Sequence, residues 1–235
     1  MGSTSHVAAA DPFANGLAAA QAGKLPVASA EFRQALATRP AAGTLVNLGL
    51  VEWRRGQPGQ AVCFWEQAAQ LDPFDSAPRK NLEFAREFAQ LETPELPWYE
   101  TGSRLLPAGW WAAMACVSLW LAVALVIVPG VLRWRKAGWQ QTGAAISLAV
   151  FILCLPPNFG VLTRANLGVV LEKKSVLRLT PTQEGELVGS LVAGEMVRQL
   201  RVRGQYAYVR TAHGNGWMPR QQLGLLGDVP PAVSP

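Results

Sequence analysis

LLPAGWWAAMACVSLWLAVALVIVPGVL, residues 105–132, contains no charged side chain, and neither does AGWQQTGAAISLAVFILCLPPNFGVLT, residues 137–163. Between them stand Arg133-Trp134-Arg135-Lys136. A hydrocarbon layer about 30 Å thick calls for roughly 20 apolar residues of helix, because only a helix satisfies its own peptide groups in lipid. The first run meets this easily: from Trp110 to Val128 the one polar side chain is Ser118. The second carries Gln140, Gln141 and Thr142 near its start and Pro156-Pro157 near its end, around an apolar centre at 143–155. A hairpin buried in a soluble core is the alternative, but core helices rarely run so far without a charge. The pair reads as a transmembrane hairpin, with helices over 105–132 and 137–160 and a basic turn at 133–136.

The positive-inside rule counts Lys and Arg in short loops and puts the basic turn in the cytoplasm. Both flanking regions then lie on the far side. Glu92, Glu95 and Glu100 outnumber Arg104 before the first helix, whereas Arg164, Lys173 and Lys174 follow the second. Trp110 and Trp111 at one end, and Trp134 and Trp139 at the other, suit interfacial belts.

The 235 residues leave room for one or two soluble domains beside the hairpin. The net charge of +5 is unevenly spread, but no part is basic enough to suggest nucleic acid. Cys63, Cys116 and Cys154 lie too far apart for a disulfide framework or a zinc cluster of familiar spacing. Met1–Ala10 lacks a basic start, yet Ala8-Ala9-Ala10 has the small-residue look of a signal-peptide tail. Residues 1–10 read as the remnant of one, or the true start lies upstream.

Ahead of the hairpin the chain repeats at a spacing of 33: Gly23, Ala28, Phe32, Ala35 and Pro40 return as Gly56, Ala61, Trp65, Ala68 and Pro73. Leu45, Leu48-Gly49 and Trp53 line the first helix of the second copy, with Ala61, Trp65 and Ala68 on its partner. In the first copy Asn15-Gly16 replaces the Leu-Gly pair. Small, aromatic, small and proline in this order resemble the tetratricopeptide repeat, a helix–turn–helix unit. Residues 11–92 then hold two repeats and a capping helix at 76–91, whose Glu83 suits a solvating end. The concave face of such a stack is made by first helices, which places Val46, Asn47, Leu50, Trp53 and Arg54 towards a protein partner. The competing reading keeps Trp53 as packing between helices. Two polar candidates, Asn47 and Arg54, are too few for a carboxylate clamp. Residues 93–104, with Pro94 and Pro97, read as a short stiff linker.

After the hairpin the pattern changes to short β-type runs over 167–171, 176–179, 187–191, 196–202, 206–210 and 216–218, with a turn at His213-Gly214-Asn215-Gly216. Some sixty residues of this kind argue for a small barrel. Val176-Leu177-Arg178 then Pro181, Leu191-Val192-Ala193-Gly194, Tyr206 to Val209 and Gly216-Trp217-Met218-Pro219 resemble a bacterial SH3-like domain over 165–226. Thr180 stands where that family often has Gly, and Tyr206 where it often has Trp. Tyr206, Tyr208 and Trp217 are the aromatics for a ligand face, unless Trp217 fills the core. Arg198, Arg201, Arg203 and Arg210 offer a basic face towards an acidic partner or lipid headgroups, or are simply solvated. Residues 227–235 read as a disordered tail.

Tetratricopeptide repeats, a close pair of membrane helices and a terminal SH3-like domain, in this order, resemble the BatE family of the Bacteroides aerotolerance operon over nearly the full chain. That resemblance implies a multidomain protein of the bacterial inner membrane, crossed twice, with both soluble domains on the periplasmic side. It also implies partners in the same membrane, namely von Willebrand A-domain proteins and a MoxR-type ATPase system. The residues themselves exclude little chemistry but offer none: two histidines, His6 and His213, no phosphate-binding Gly-rich loop and no acid pair in a plausible cleft. Ionisable residues within the apolar runs, the usual mark of a transport pathway, are missing. The expectation is a non-enzymatic adaptor without cofactor or metal. The alternative is an envelope protein whose SH3-like domain grips peptidoglycan while its repeats recruit a wall enzyme.

Overall fold

The computed structural model describes residues 11–91, 96–131, 138–212 and 214–227. The proposed remnant at 1–10, the basic turn, His213 and residues 228–235 of the tail lie outside them. Five helices come first: α1 (Pro12–Gln21), α2 (Leu25–Thr38), α3 (Ala42–Arg54), α4 (Pro58–Leu71) and α5 (Ser76–Ala89). Asp11 caps α1 by accepting from the Phe13 N–H at 3.0 Å, with Pro12 at the first helical position. Asp75 caps α5 in the same way through Ala77 N–H at 2.9 Å.

The 33-residue spacing is visible in the backbone. The N–H groups of Ala22, Gly23 and Lys24 donate to the carbonyls of Ala18, Ala20 and Ala19; those of Arg55, Gly56 and Gln57 donate to Val51, Trp53 and Glu52. Gly23 and Gly56 turn the chain at φ of 73° and 72°, in the left-handed region where a Cβ is strained. Packing repeats too. A Cβ on Gly16 would come 2.7 Å from Phe32 Cδ1, and one on Gly49 would come 2.6 Å from Trp65 Cδ1. Each glycine lets the aromatic of the following helix lie directly on its backbone. Gly16 therefore does in the first copy what Gly49 does in the second, despite the altered residue before it. Phe32, Leu45, Leu48 and Trp65 are fully buried, and Trp65 Nε1 donates to Val46 O at 3.2 Å.

After the long apolar helices come β1 (Leu167–Val170), β2 (Ser175–Arg178), β3 (Leu187–Leu191), β4 (Met196–Arg203), β5 (Tyr206–Thr211), β6 (Gly214–Pro219) and β7 (Leu223–Leu225). They form one antiparallel sheet in the order β3-β2-β6-β5-β4-β1-β7. β7 had no counterpart among the runs visible in the sequence. Register shifts interrupt β2–β3 at Leu177/Arg178 and β4–β5 at Gln199/Arg201, the kind of bulge that bends and twists a small sheet. Its core holds Val170, Leu177, Leu191, Val197, Ala207, Val209 and Met218.

The chain divides into two compact units. The first comprises 11–69, 75–91 and 167–227, so the helices and the sheet, which read from the sequence as separate domains, pack together. α4 makes that seam. A Cβ on Gly59 would come 2.7 Å from Leu171 Cα, so no side chain fits where the helix meets the β1 end. Gln67 Nε2 donates to Leu225 O at 3.2 Å, and the Cys63 thiol sits 3.8 Å from Gly224 O. These contacts cover the backbone of β7, an edge strand whose unpaired groups would otherwise be open.

The second unit comprises 70–74 and 96–166. Within it lie α6 (Trp98–Ser103), α7 (Ala108–Val131) and α8 (Gly138–Arg164). The stretch read as linker thus holds a short helix, packed on α8: Tyr99 and Phe159 rings are 5.5 Å apart, and Gly160 abuts the Tyr99 carbonyl. α8 runs through Pro156-Pro157 to Arg164, beyond the expected end at 160. Each proline removes one i→i−4 hydrogen bond. Asn158 follows at once, its Nδ2 donating to Cys154 O at 2.9 Å and to Trp111 O of α7 at 3.1 Å. α7 and α8 are long and apolar enough to cross a membrane, with mean hydropathies of 2.4 and 2.0 over the most apolar 18-residue window of each.

Candidate functional site

Two surfaces of the first unit carry the residues singled out in the sequence. On α3, Gly43, Asn47, Leu50 and Arg54 recur at helical spacing and form its open stripe. Val46 is not part of it: its side chain is buried in the helical core. Asn47 Nδ2 is engaged by Gly43 O at 2.9 Å, which leaves its amide oxygen for any ligand. Arg54 and Leu50 are exposed.

Trp53 flanks the stripe and is half-buried. Its ring lies 5.7 Å from Trp65, 5.5 Å from Phe84 and 5.7 Å from Phe88. Trp53 therefore packs between helices while Leu50 and Arg54 beside it face solvent. Phe84 and Phe88 stack at 6.0 Å and are 53 % and 74 % exposed. The solvating cap expected of α5 gives these two residues no part. The signal was there. Leu82 and Ala85 mark the buried side of α5, and two phenylalanines four residues apart lie off that register.

On the sheet, Tyr206 and Tyr208 alternate with the buried Ala207 and Val209 along β5, so both point away from the core. Tyr208 stands directly opposite Trp217, with ring centroids 5.1 Å apart, and Tyr206 opposite Pro219. Of the two, Met218 is fully buried in the core of the sheet, while Trp217 is half-buried on the outer face. The three aromatics named from the sequence thus form one surface.

Two clefts lie elsewhere. A cleft of about 530 Å³ within the first unit is lined by Gln57, Gln60, Lys173 and Lys174 among others. An apolar cleft of about 460 Å³ runs between α7 and α8, beside Ser118 and Ser147. Among the described residues no group of three or more His, Cys, Asp or Glu could hold a metal ion. No family model, curated protein or solved structure matches this chain.

Proposed function

We propose that the chain is a non-enzymatic, membrane-anchored adaptor. In this reading α1–α5 are a short tetratricopeptide stack, β1–β7 an SH3-like barrel, and α7 and α8 a hairpin through the bilayer. The doubled hydrogen-bond pattern and the doubled glycine–aromatic contact at a spacing of 33 support the first assignment. Helices of 24 and 27 residues support the last, since at 1.5 Å per residue they reach about 36 and 40 Å. The packing of residues before and after the hairpin into one unit also favours an even number of crossings.

The observation that carries the adaptor reading is the open aromatic cluster of Phe84 and Phe88 on Trp53, continuous with the α3 stripe. Exposed apolar patches of this kind mark protein-binding surfaces, and aromatic anchors dominate their energetics. The occupant is an apolar segment of a protein in the same membrane. Given the BatE resemblance, the first candidates are membrane A-domain proteins and a MoxR-type ATPase. Confinement to one bilayer raises effective concentration, so modest contacts suffice.

The tagged chain, recovered from membranes in mild detergent, should bring a membrane protein with it in stoichiometric amount. Phe84→Ser/Phe88→Ser should cut that recovery about tenfold while thermal stability changes by no more than about 1 kcal/mol. Trp53→Ala is a poorer probe because it also removes packing against Trp65. Recovery of the partner undiminished by the double substitution contradicts the reading.

A further inference from the structure

The outer face of the sheet has a composition unlike the rest of the chain. β2, β4, β5 and β6 contain Arg178, Arg198, Arg201, Arg203 and Arg210 and no Asp or Glu. Register brings most of these onto the aromatic surface. Arg201 pairs with Tyr208 and Arg203 with Tyr206, Tyr208 pairs with Trp217, and Trp217 pairs with Arg178. Residues directly opposed in an antiparallel ladder project to the same side. Arg210 joins them by alternation along β5. Arg201, Arg203 and Arg210 are exposed; Arg178 is steadied by donating to Gly185 O at 2.8 Å. Leu187, paired with Arg178 and 62 % exposed, extends the face as an apolar rim.

We propose that this face binds the headgroups of anionic phospholipids. The inference rests on the reading of α7 and α8 as membrane spans. Guanidinium groups meet phosphate oxygens in a bidentate fork, and Arg keeps its charge at any physiological pH. Tyr and Trp rings are at home at headgroup depth, where one end of the ring is apolar and the other wet. An acidic peptide would satisfy the arginines equally well. The chain's connectivity decides between them: α8 ends at Arg164 and β1 begins at Leu167, so the sheet is tied within a few residues of an apolar helix. A basic surface needs a second anchor to hold a membrane stably, and here the chain supplies one.

The test uses the full chain in nanodiscs of phosphatidylcholine alone or with about 30 % phosphatidylglycerol. Hydroxyl-radical footprinting with mass spectrometry then reads Tyr206, Tyr208 and Trp217 individually. Their oxidation should fall about threefold or more in the anionic discs, and recover in about 0.5 M salt, where the Debye length shrinks to a few ångströms. Phe84 and Phe88 should not respond. Arg201→Gln/Arg203→Gln/Arg210→Gln should abolish the lipid dependence. Equal oxidation in both discs overturns the inference, as does protection that appears only when an acidic peptide or purified peptidoglycan is added. Trp120 of α7 separates this from failure of the membrane reading. Shielded in both discs, it leaves the spans intact; oxidised as freely as a surface residue, it removes them and the inference together.

Discussion

Glu52 shows how much of this molecule turns on single side chains. It is fully buried, yet its carboxylate accepts from Ser29 Oγ at 2.6 Å, Arg33 at 2.9 Å and Arg55 at 2.8 Å. The arginines are partly exposed, so the cluster is not sealed from water, and removing one partner costs less than the ~3–5 kcal/mol of breaking a fully buried pair. Glu52→Ala strips Ser29 of its partner and leaves two guanidinium groups facing the gap. It should destabilise the first unit by about 2–3 kcal/mol, read by denaturant unfolding. Glu52→Gln, which still accepts from Ser29, should lose clearly less. An unchanged midpoint for the alanine variant would show that the arginines find other partners. Periodicity marks the helix but not this role: partners 19 and 23 residues away leave no trace in local spacing. The aromatic positions were more legible. Alternation along Tyr206–Val209 fixed which way the tyrosines point. Trp217 and Met218 are adjacent apolar residues, and only the strand's register decides which one fills the core.

At the scale of elements, α4 is where the sequence was least informative. Its periodicity identifies the side facing α3, but says nothing of what covers the other side. Gly59 looks like an ordinary glycine in a helix's first turn, and Cys63 like a lone buried thiol; both belong to the seam with β1 and β7. Gly59→Leu has no space for its side chain against Leu171, so helix and sheet must separate locally. Overpacking of this kind costs about 1–3 kcal/mol or more. Because the helices and sheet form one unit, calorimetry should register a loss in a single shared transition. A variant in which the sheet melts at its unaltered temperature while the helices melt earlier would mean that the two are independent. α8 makes the complementary point. Its expected end at 160 lies just past Pro156-Pro157, yet the helix continues to Arg164, because Asn158 and the packing of Gly160 on α6 hold the following turn in place.

For the whole molecule, the apolar runs were the most legible feature, since hydrophobicity over more than twenty residues has few physical explanations. The assembly of the helical stretch (11–69 and 75–91) with 167–227 was the least, because it joins residues about 160 positions apart. The central claim is that these two stretches form one body on one side of a membrane, anchored by a hairpin. Site-directed cysteine labelling in right-side-out membrane vesicles tests it most directly, with Cys116 and Cys154 replaced by alanine and Cys63 left in its seam. An impermeant maleimide should label both Ala14→Cys and Gln221→Cys, whose positions are exposed on either part of the first unit. Lys136→Cys, between the helices, should be labelled only after the vesicles are opened. Labelling of position 14 and position 221 from opposite sides, or release of the chain from the vesicles by alkaline carbonate, would contradict the account.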